Sequence, residues 1–199
     1  ESGPIENKKI TAEACVHHLY FCADDYATYG NGIKCNPSIK LRSDLTALRQ
    51  AVDEDVIDII ATDHAPHTQE EKQQPYLKAP AGLPLVQHAL LSLLQHVEQG
   101  HFTLTQVVQK IAHNPAIRYQ VKERGFIREG YHADMVLVDC QQSYQVTPAN
   151  ILYKCQWSPF MDHSFPASIA MTWVNGHLVY DGQQVLNHPV GQPLEFDRE

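Results

Sequence analysis

A short apolar run at residues 56–61 constrains the fold more than any other feature of this sequence. It consists of Val, Ile, Asp, Ile, Ile and Ala, and it is followed by Thr62 and Asp63. A continuous apolar stretch of this length between helical patterns is typical of a strand buried on both faces of a parallel sheet. The run therefore predicts an α/β fold.

Strand and helix patterns precede this run. Apolar side chains alternate along residues 10–16 with the period of a strand, and a loop rich in Asp, Tyr, Gly and Asn follows over residues 24–42. Ser43 then precedes an apolar helical face and is predicted to be the N-cap of that helix. The order of strand, helix and strand agrees with an α/β fold.

The patterns after the run predict further helices. Residues 86–97 carry a helical apolar spacing that Gly100 can end. Residues 103–106 resemble a capping box at the start of another helix. Asn114-Pro115 is predicted to end that helix and to begin the next one.

Strand patterns dominate the last third of the chain. Residues 134–139, 168–174 and 177–181 are predicted to be strands, and Asn175-Gly176 is a strong two-residue hairpin signal. The tail from Asn187 has little periodicity and is expected to be an extended arm. This part of the chain is therefore predicted to be a β-rich layer.

The composition indicates a soluble globular protein. Of the 199 residues, 43% are hydrophobic and 19% are charged, which suffices to bury a core. No apolar run approaches the roughly 20 residues of a membrane span, and the first residues are polar rather than signal-like. We expect a cytoplasmic protein with no membrane partner.

Charge and cysteine content narrow the possible partners. Fifteen Lys and Arg against 23 Asp and Glu give a net charge of -8 without a basic stripe, which argues against nucleic-acid binding. The five cysteines include no C-x-x-C pair, so neither a thiolate zinc site nor a disulfide framework is indicated. A small molecule or another protein is the expected partner.

The segment at residues 61–67, Ala-Thr-Asp-His-Ala-Pro-His, carries the most chemical information. It follows the predicted buried strand, and parallel α/β sheets and barrels place functional groups at the carboxyl ends of strands. A carboxylate such as Asp63, flanked by imidazoles near a core, requires compensation by a metal, hydrogen bonds or water. Asp-x-x-x-His alone is also compatible with a structural capping role.

Together with Lys72, residues 61–67 resemble the C-terminal signature of long-form dihydroorotases, which belong to the amidohydrolase superfamily. The match holds at every defined position. Further segments resemble the preceding strand, the substrate loop, the loop after the signature and the closing β-domain of these enzymes: residues 11–19, 34–43, 79–83 and 130–139.

The resemblance implies a (β/α)8 TIM barrel with a zinc centre of one or two ions, plus a small β-rich composite domain. Residues 1–124 would be the last strands and helices of an incomplete barrel, and residues 125–199 the composite-domain segment and arm. The family's His-x-His motif and its middle-strand ligands have no recognisable counterparts here. The chain thus resembles the C-terminal part of the enzyme, with most zinc ligands outside it, and we expect it to be inactive alone.

The implied reaction is the reversible interconversion of dihydroorotate and N-carbamoyl-aspartate in de novo pyrimidine biosynthesis. By resemblance, Asp63 would contact zinc, accept a proton and deliver it to the leaving amide nitrogen. Asn36 and His67 would hydrogen-bond the substrate's carboxylate or ring amide. Backbone groups near Gly82 would contact the other edge of the ring.

Structural roles are alternatives to these substrate-binding assignments. Asn36 has the alternative of a turn residue before Pro37, and His67 that of a loop cap. His64 is predicted to support a metal ligand rather than to be one.

Two other features have structural interpretations. His17 and His18 are predicted to be structural or to line the pocket, because adjacent residues on a strand point to opposite faces and do not easily chelate one ion. Lys72 is compatible with substrate contact or with a solvated loop beside Glu70 and Glu71.

Two rival functions remain open. A hydantoinase or allantoinase would share the barrel and the metal, although the signature with Lys72 favours dihydroorotase. A non-catalytic dihydroorotase-like partner of aspartate transcarbamoylase is the other, and the retained Asp63 and His67 argue mildly against it. For the complete enzyme, the resemblance implies a homodimer and allows an association with aspartate transcarbamoylase.

Overall fold

The computed structural model describes residues 2–186 and 189–197. The predicted arm therefore falls partly outside the described residues, as do Asn187 and His188. The helices are α1 (Val16–Tyr20), α2 (Tyr26–Tyr29), α3 (Arg42–Asp53), α4 (Gln69–Lys72), α5 (Ala89–Glu98), α6 (Leu104–Val108) and α7 (Asn114–Tyr119). The strands are β1 (Glu13–Cys15), β2 (Ile59–Ala61), β3 (Met135–Asp139), β4 (Tyr144–Gln145), β5 (Ser164–Phe165), β6 (Ser168–Val174) and β7 (His177–Tyr180).

The predicted buried parallel strand is confirmed. β2 pairs with β1 in parallel, with Glu13 opposite Ile59 and Cys15 opposite Ala61. Both strands are shorter than their sequence patterns, since the first ends at Cys15 and the second begins at Ile59. The carboxyl ends of the two strands consequently lie side by side.

A buried polar network anchors the beginning of β2. The Asp58 carboxylate accepts hydrogen bonds from Lys8 Nζ at 2.5 Å and from the Ala12 N–H at 3.0 Å. Lys110 Nζ donates to the Asp55 carboxylate at 2.6 Å and to the Ile57 carbonyl at 2.7 Å. Because the buried charges of Lys8, Asp58 and Lys110 are each paired, the network avoids the cost of an isolated ion and fixes the strand's position.

The prediction that Ser43 is the N-cap of α3 is wrong. Leu41 precedes the helix and Ser43 lies inside its first turn. The Asp44 carboxylate accepts the Leu41 N–H at 2.9 Å and so supplies the capping contact from within the helix.

Helices α5 and α6 agree with their predictions more closely. Thr103 Oγ1 accepts the Gln106 N–H at 3.2 Å, and Gln106 Oε1 accepts the Thr103 N–H at 2.8 Å, which completes the predicted capping box. Asn114-Pro115 does not interrupt the backbone, because a π-helical segment, Gln109–His113, leads directly into α7. At the position where a break between two helices was expected, the helix instead changes from π-helical to α-helical pitch.

The β-rich part contains a three-stranded antiparallel sheet in the order β3, β6, β7 and a separate β4–β5 pair. Asn175 and Gly176 join β6 to β7 with φ angles of 49° and 81°. Positive φ at both central residues is the geometry of a type I′ turn, so the predicted hairpin is confirmed.

One hydrophobic core joins residues from both parts of the chain. It contains Leu19 and Phe21 near α1 together with Phe160 and Phe165 near β5. The Phe160 ring stacks on Phe21 with centroids 5.5 Å apart. Residues near β4 and β5 thus pack on the helices, and the division at residue 124 stays a prediction.

Two further findings concern membranes and thiols. Over the described ranges, no helix combines the length and apolarity needed to cross a bilayer. All five cysteines lie in the described part of the chain and are free, which agrees with the predicted reduced state.

Buried histidines make stability depend on pH. Burial lowers the pKa of His96 to about 3 and that of His88 to about 4, from 6.5. Between these values and 6.5 the unfolded chain binds more protons than the folded one, so the free energy of unfolding falls as the pH falls through this window.

We predict that His96→Leu reduces the loss of unfolding free energy at acid pH. Lowering the pH from 7 to 5 should cost the native protein about 2 kcal/mol at this one buried histidine, and the variant should lose that much less. Urea unfolding at both pH values measures the difference. The exposed His177→Leu is the control, and equal acid losses in both variants would show that burial of His96 is not the cause.

Candidate functional site

Asp63 lies just beyond the carboxyl end of β2, as predicted. Its backbone adopts a left-handed conformation with φ 46°, and its side chain is exposed. Burial raises the pKa of the Cys15 thiol to about 12, and the charge of Asp63 adds to that rise. Asp63 also contributes to the raised pKa of Cys35, behind burial. The carboxylate therefore lies at the edge where β1 and β2 end.

The predicted strand position of His17 and His18 is wrong. β1 ends at Cys15, and both histidines lie in the first turn of α1, so the argument from opposite strand faces does not apply. Ligand atoms of Cys15, His17 and His18 all lie within 4.8 Å of one another. The change from strand to helix brings these three side chains together.

His17 has an environment that would suit a metal ligand. It is completely buried, and neither ring nitrogen has a hydrogen-bond partner among the described residues. Burial lowers its pKa to about 3, so the imidazole is neutral at physiological pH and has a lone pair to offer. A buried imidazole without partners is costly, and metal coordination would satisfy it.

The loop that carries Asn36 is fixed beside this cluster. His18 Nε2 lies 2.8 Å from the Pro37 carbonyl oxygen, and the Cys35 thiol lies 3.8 Å from the same nitrogen. Asn36 stands between Cys35 and Pro37 and is exposed. Its backbone is thus held close to His18, just past the carboxyl end of β1, while the turn-residue alternative stays open.

Lys72 is a buried clamp, so the interpretation as a solvated loop residue is wrong. Its Nζ donates to the carbonyls of Lys34 and Pro80, each at 3.1 Å, and to that of Gly82 at 2.9 Å. The residue is only 5% exposed. Three hydrogen bonds from one cation join the loop before Asn36 to the loop of residues 79–83.

Gly82 lies where only glycine fits. Its φ is +143°, and an added Cβ would lie 2.4 Å from the Ala65 carbonyl oxygen. Its N–H donates to the Lys34 carbonyl at 2.9 Å, so this donor is already used within the protein. Substrate contact at Gly82 would have to use the remaining lone pair of its carbonyl or neighbouring backbone groups.

His67 packs against the same loop. Its Nε2 lies 3.2 Å from the Ala81 carbonyl oxygen, and its own carbonyl accepts the Trp157 indole N–H at 2.7 Å. This geometry holds the loop that carries the residue in place, and His67 remains partly accessible. Loop capping and substrate binding are both compatible with it.

His64 orients the segment that follows Asp63. Its Nδ1 lies 3.0 Å from the Leu85 N–H and 3.3 Å from the Val86 N–H. The ring also lies 5.4 Å from that of Tyr153. His64 thus has a supporting position, as the sequence suggested, although whether it supports a metal ligand stays a prediction.

The structure brings the four predicted site residues, Asp63, Asn36, His67 and Gly82, onto neighbouring loops at one edge. Sequence reasoning missed His17 as a candidate ligand. The available signal was its position one residue past the alternating pattern of residues 10–16. That signal depends on where β1 ends, which the pattern alone did not give.

Known proteins resemble this chain over most of its length. The Amidohydrolase family model matches residues 5–179. The dihydroorotase of Endomicrobium trichonymphae is 35% identical over 174 residues, covering 86% of this chain and 41% of the relative. That of Halobacterium salinarum is 37% identical over 177 residues, covering 88% and 41%. The chain therefore spans about two fifths of the length of these relatives.

Solved structures show the same fold. The L-hydantoinase of Arthrobacter aurescens superposes with a TM-score of 0.83 at 23% identity, over 91% of this chain and 41% of that protein. A D-hydantoinase from Thermus sp. gives a TM-score of 0.83 at 18% identity, over 90% and 41%. At these identities the likeness concerns the fold alone.

We predict that Lys72→Met loosens the site. The substitution keeps the apolar stem, removes the Lys72 donor from the carbonyls of Pro80 and Gly82, and leaves the Lys34 carbonyl with the Gly82 N–H alone, which should cost about 3 kcal/mol of stability. Hydrogen exchange at the Gly82 N–H should accelerate together with the global loss measured by urea unfolding. The exposed Lys78→Met is the matched control, and equal exchange rates in the two variants would contradict the clamp.

Proposed function

Because the chain belongs to the amidohydrolase family, we propose that it supplies the Asp63 side of the active site in a zinc-dependent dihydroorotase. The reaction is the reversible ring opening of dihydroorotate to N-carbamoyl-aspartate, a step of pyrimidine biosynthesis. We further propose that the chain forms the C-terminal part of the barrel and of a composite β-domain. The complete protein would be a cytoplasmic homodimer.

The observation that carries the proposal is that Asp63 and His17 each follow one of two paired parallel strands at the same sheet edge. Asp63 follows β2 and His17 follows β1, and the two strands run in parallel with their carboxyl ends aligned. Polar groups at this edge of a parallel sheet or barrel are positioned for catalysis. The similarity to dihydroorotases over 86–88% of the chain supports this substrate class.

The donor set fits a metal. His17 offers a neutral, buried and unpartnered imidazole, and Asp63 offers a carboxylate; both are ligand types that zinc accepts. When bound, zinc would lower the pKa of water and polarise the scissile carbonyl. Zinc requires more donors than these two, and we propose that the remaining ligands lie elsewhere in the complete protein.

Asp63 has the position of a proton carrier. Its exposed carboxylate is free to accept a proton from the attacking water and to give it to the ring nitrogen as the amide bond breaks. In the direction of ring closure the two transfers reverse. A carboxylate fixed just past a short, anchored strand can perform both without moving its backbone.

We propose that Asn36 and His67 hold the substrate on either side of Asp63. The Asn36 amide can both donate to the substrate's carboxylate and accept from its ring N–H. His67 can donate one ring N–H, and carbonyls near Gly82 can accept from the ring amide. The Lys72 clamp would keep these loops at a fixed separation.

The hydantoinase alternative rests on structural likeness at 18–23% identity, whereas the sequence likeness to dihydroorotases is 35–37%. We therefore favour dihydroorotate as the substrate. A non-catalytic role beside aspartate transcarbamoylase becomes the better account only if the complete protein lacks turnover.

The test uses the natural polypeptide that carries this sequence, assayed with dihydroorotate, hydantoin and allantoin. Dihydroorotate should be turned over fastest, and Asp63→Asn should lower kcat by about 10² to 10⁴-fold because proton transfer is lost. Asp24→Asn, which removes an exposed carboxylate that contacts Arg42 and the Cys22 thiol, should leave kcat unchanged. Faster turnover of hydantoin or allantoin, or full activity of Asp63→Asn, would refute the assignment.

A further inference from the structure

The last residue of β1 places a thiol beside the two histidines that begin α1. Cys15 ends the strand opposite Ala61 and is partly buried. One ligand atom from each of Cys15, His17 and His18 lies within 4.8 Å of the other two. The cluster therefore brings one sulfur and two imidazole rings close enough to share a single ion after a small adjustment of the side chains.

His17 lacks a partner inside this cluster. It is completely buried, and its two ring nitrogens make no hydrogen bond within the described part of the chain. Buried polar atoms are rarely left in this state in a folded protein. Cys15 and His18 are both partly accessible, so an ion can approach the cluster from their side. A bond to that ion would satisfy one nitrogen of His17.

His18 already has the hydrogen bond that orients a metal-binding histidine. Its Nε2 lies 2.8 Å from the Pro37 carbonyl oxygen, and because a carbonyl can only accept, the proton lies on Nε2. In the neutral ring the lone pair is then on Nδ1. Metal-ligating histidines usually donate their other N–H to a carbonyl or carboxylate in this way. Nδ1 is therefore the nitrogen of His18 that is available to an ion.

A second thiol, that of Cys35, lies on the other side of the His18 ring. Its Sγ is 3.8 Å from Nε2 and donates to the Pro37 carbonyl at 3.1 Å. Both contacts involve the nitrogen that holds the proton rather than the one with the lone pair. Cys15 is thus the thiol that belongs with Nδ1 of His18.

The donor set indicates which ions this cluster would hold. Thiolate sulfur is a soft ligand that favours thiophilic ions, those that prefer sulfur, over Mg²⁺, Ca²⁺ and Mn²⁺, which prefer oxygen. Burial and Asp63 raise the pKa of the free Cys15 thiol to about 12, but a metal that bonds to the sulfur drives its proton off into water. The thiolate then offsets part of the charge of the ion.

We propose that Cys15, His17 and His18 bind one thiophilic divalent metal ion through one sulfur and two imidazole nitrogens. The proposal does not rest on the dihydroorotase reaction, and it shares only His17 with the proposed zinc centre. Because a neutral imidazole has one lone pair, His17 can serve one ion at a time. A thiophilic ion bound to Cys15 would therefore take this ligand away from zinc at the Asp63 side.

The test titrates Cd²⁺ into the natural polypeptide that carries this sequence, after a chelator has removed bound metal. A bond between cadmium and a thiolate gives an ultraviolet charge-transfer band, which should appear and saturate. Cys15→Ser should abolish the band. Cys35→Ser, which removes the neighbouring thiol, and Cys140→Ser, which removes an exposed one, should both keep it. Circular dichroism shows whether each variant is folded.

His18→Phe tests the second ligand. The substitution keeps a ring and removes both nitrogens, so it should weaken cadmium binding at least about tenfold, since even the loss of a supporting partner of a ligand costs that much. The exposed His177→Phe is the matched control and should bind cadmium as the original polypeptide does.

X-ray absorption at the cadmium edge needs no variant and keeps the test decisive if Cys15→Ser does not fold. The spectrum of the unmodified polypeptide should show one sulfur and two imidazole nitrogens bound to the ion. The proposal is overturned if no cadmium–thiolate band appears, if Cys15→Ser keeps the band or Cys35→Ser loses it, or if the absorption spectrum shows no sulfur or more than one.

Discussion

The parallel pairing of β1 and β2 is the constraint on which the rest of the structure depends. Asp58, Lys8 and Lys110 fix the beginning of β2 through buried, paired charges, and the register with β1 then sets where both strands end. Because parallel strands end at the same edge, Asp63 and His17 both lie just past that edge, although 46 positions separate them along the chain. A one-residue slip of this register would reverse the facing of every side chain on β2.

Local chemistry decided which elements could be predicted. The apolar run at residues 56–61, the capping box at residues 103–106 and the Asn175-Gly176 turn each depend on short-range physics, and each is present in the structure. The failures depend on tertiary contacts. The alternating pattern at residues 10–16 cannot show that pairing stops at Cys15, and three carbonyls from distant loops decide the burial of Lys72.

The candidate site also contains residues that the sequence could predict and one that it could not. Asp63, Asn36, His67 and Gly82 were identified by resemblance, and the structure places them on adjoining loops. The unpartnered nitrogens of His17 are visible only in three dimensions, since burial and missing partners have no signature in sequence. An unsatisfied buried imidazole costs folding free energy, and the proposed metal would recover that cost by coordinating it.

Anomalous diffraction at the zinc edge, on zinc-loaded crystals of the polypeptide that carries this sequence, tests this account most directly. The account predicts a zinc ion about 2.0–2.2 Å from a ring nitrogen of His17 and from the Asp63 carboxylate. Zinc bound elsewhere while His17 stays without a partner, or an Asp63 carboxylate turned away from the ion, would contradict it.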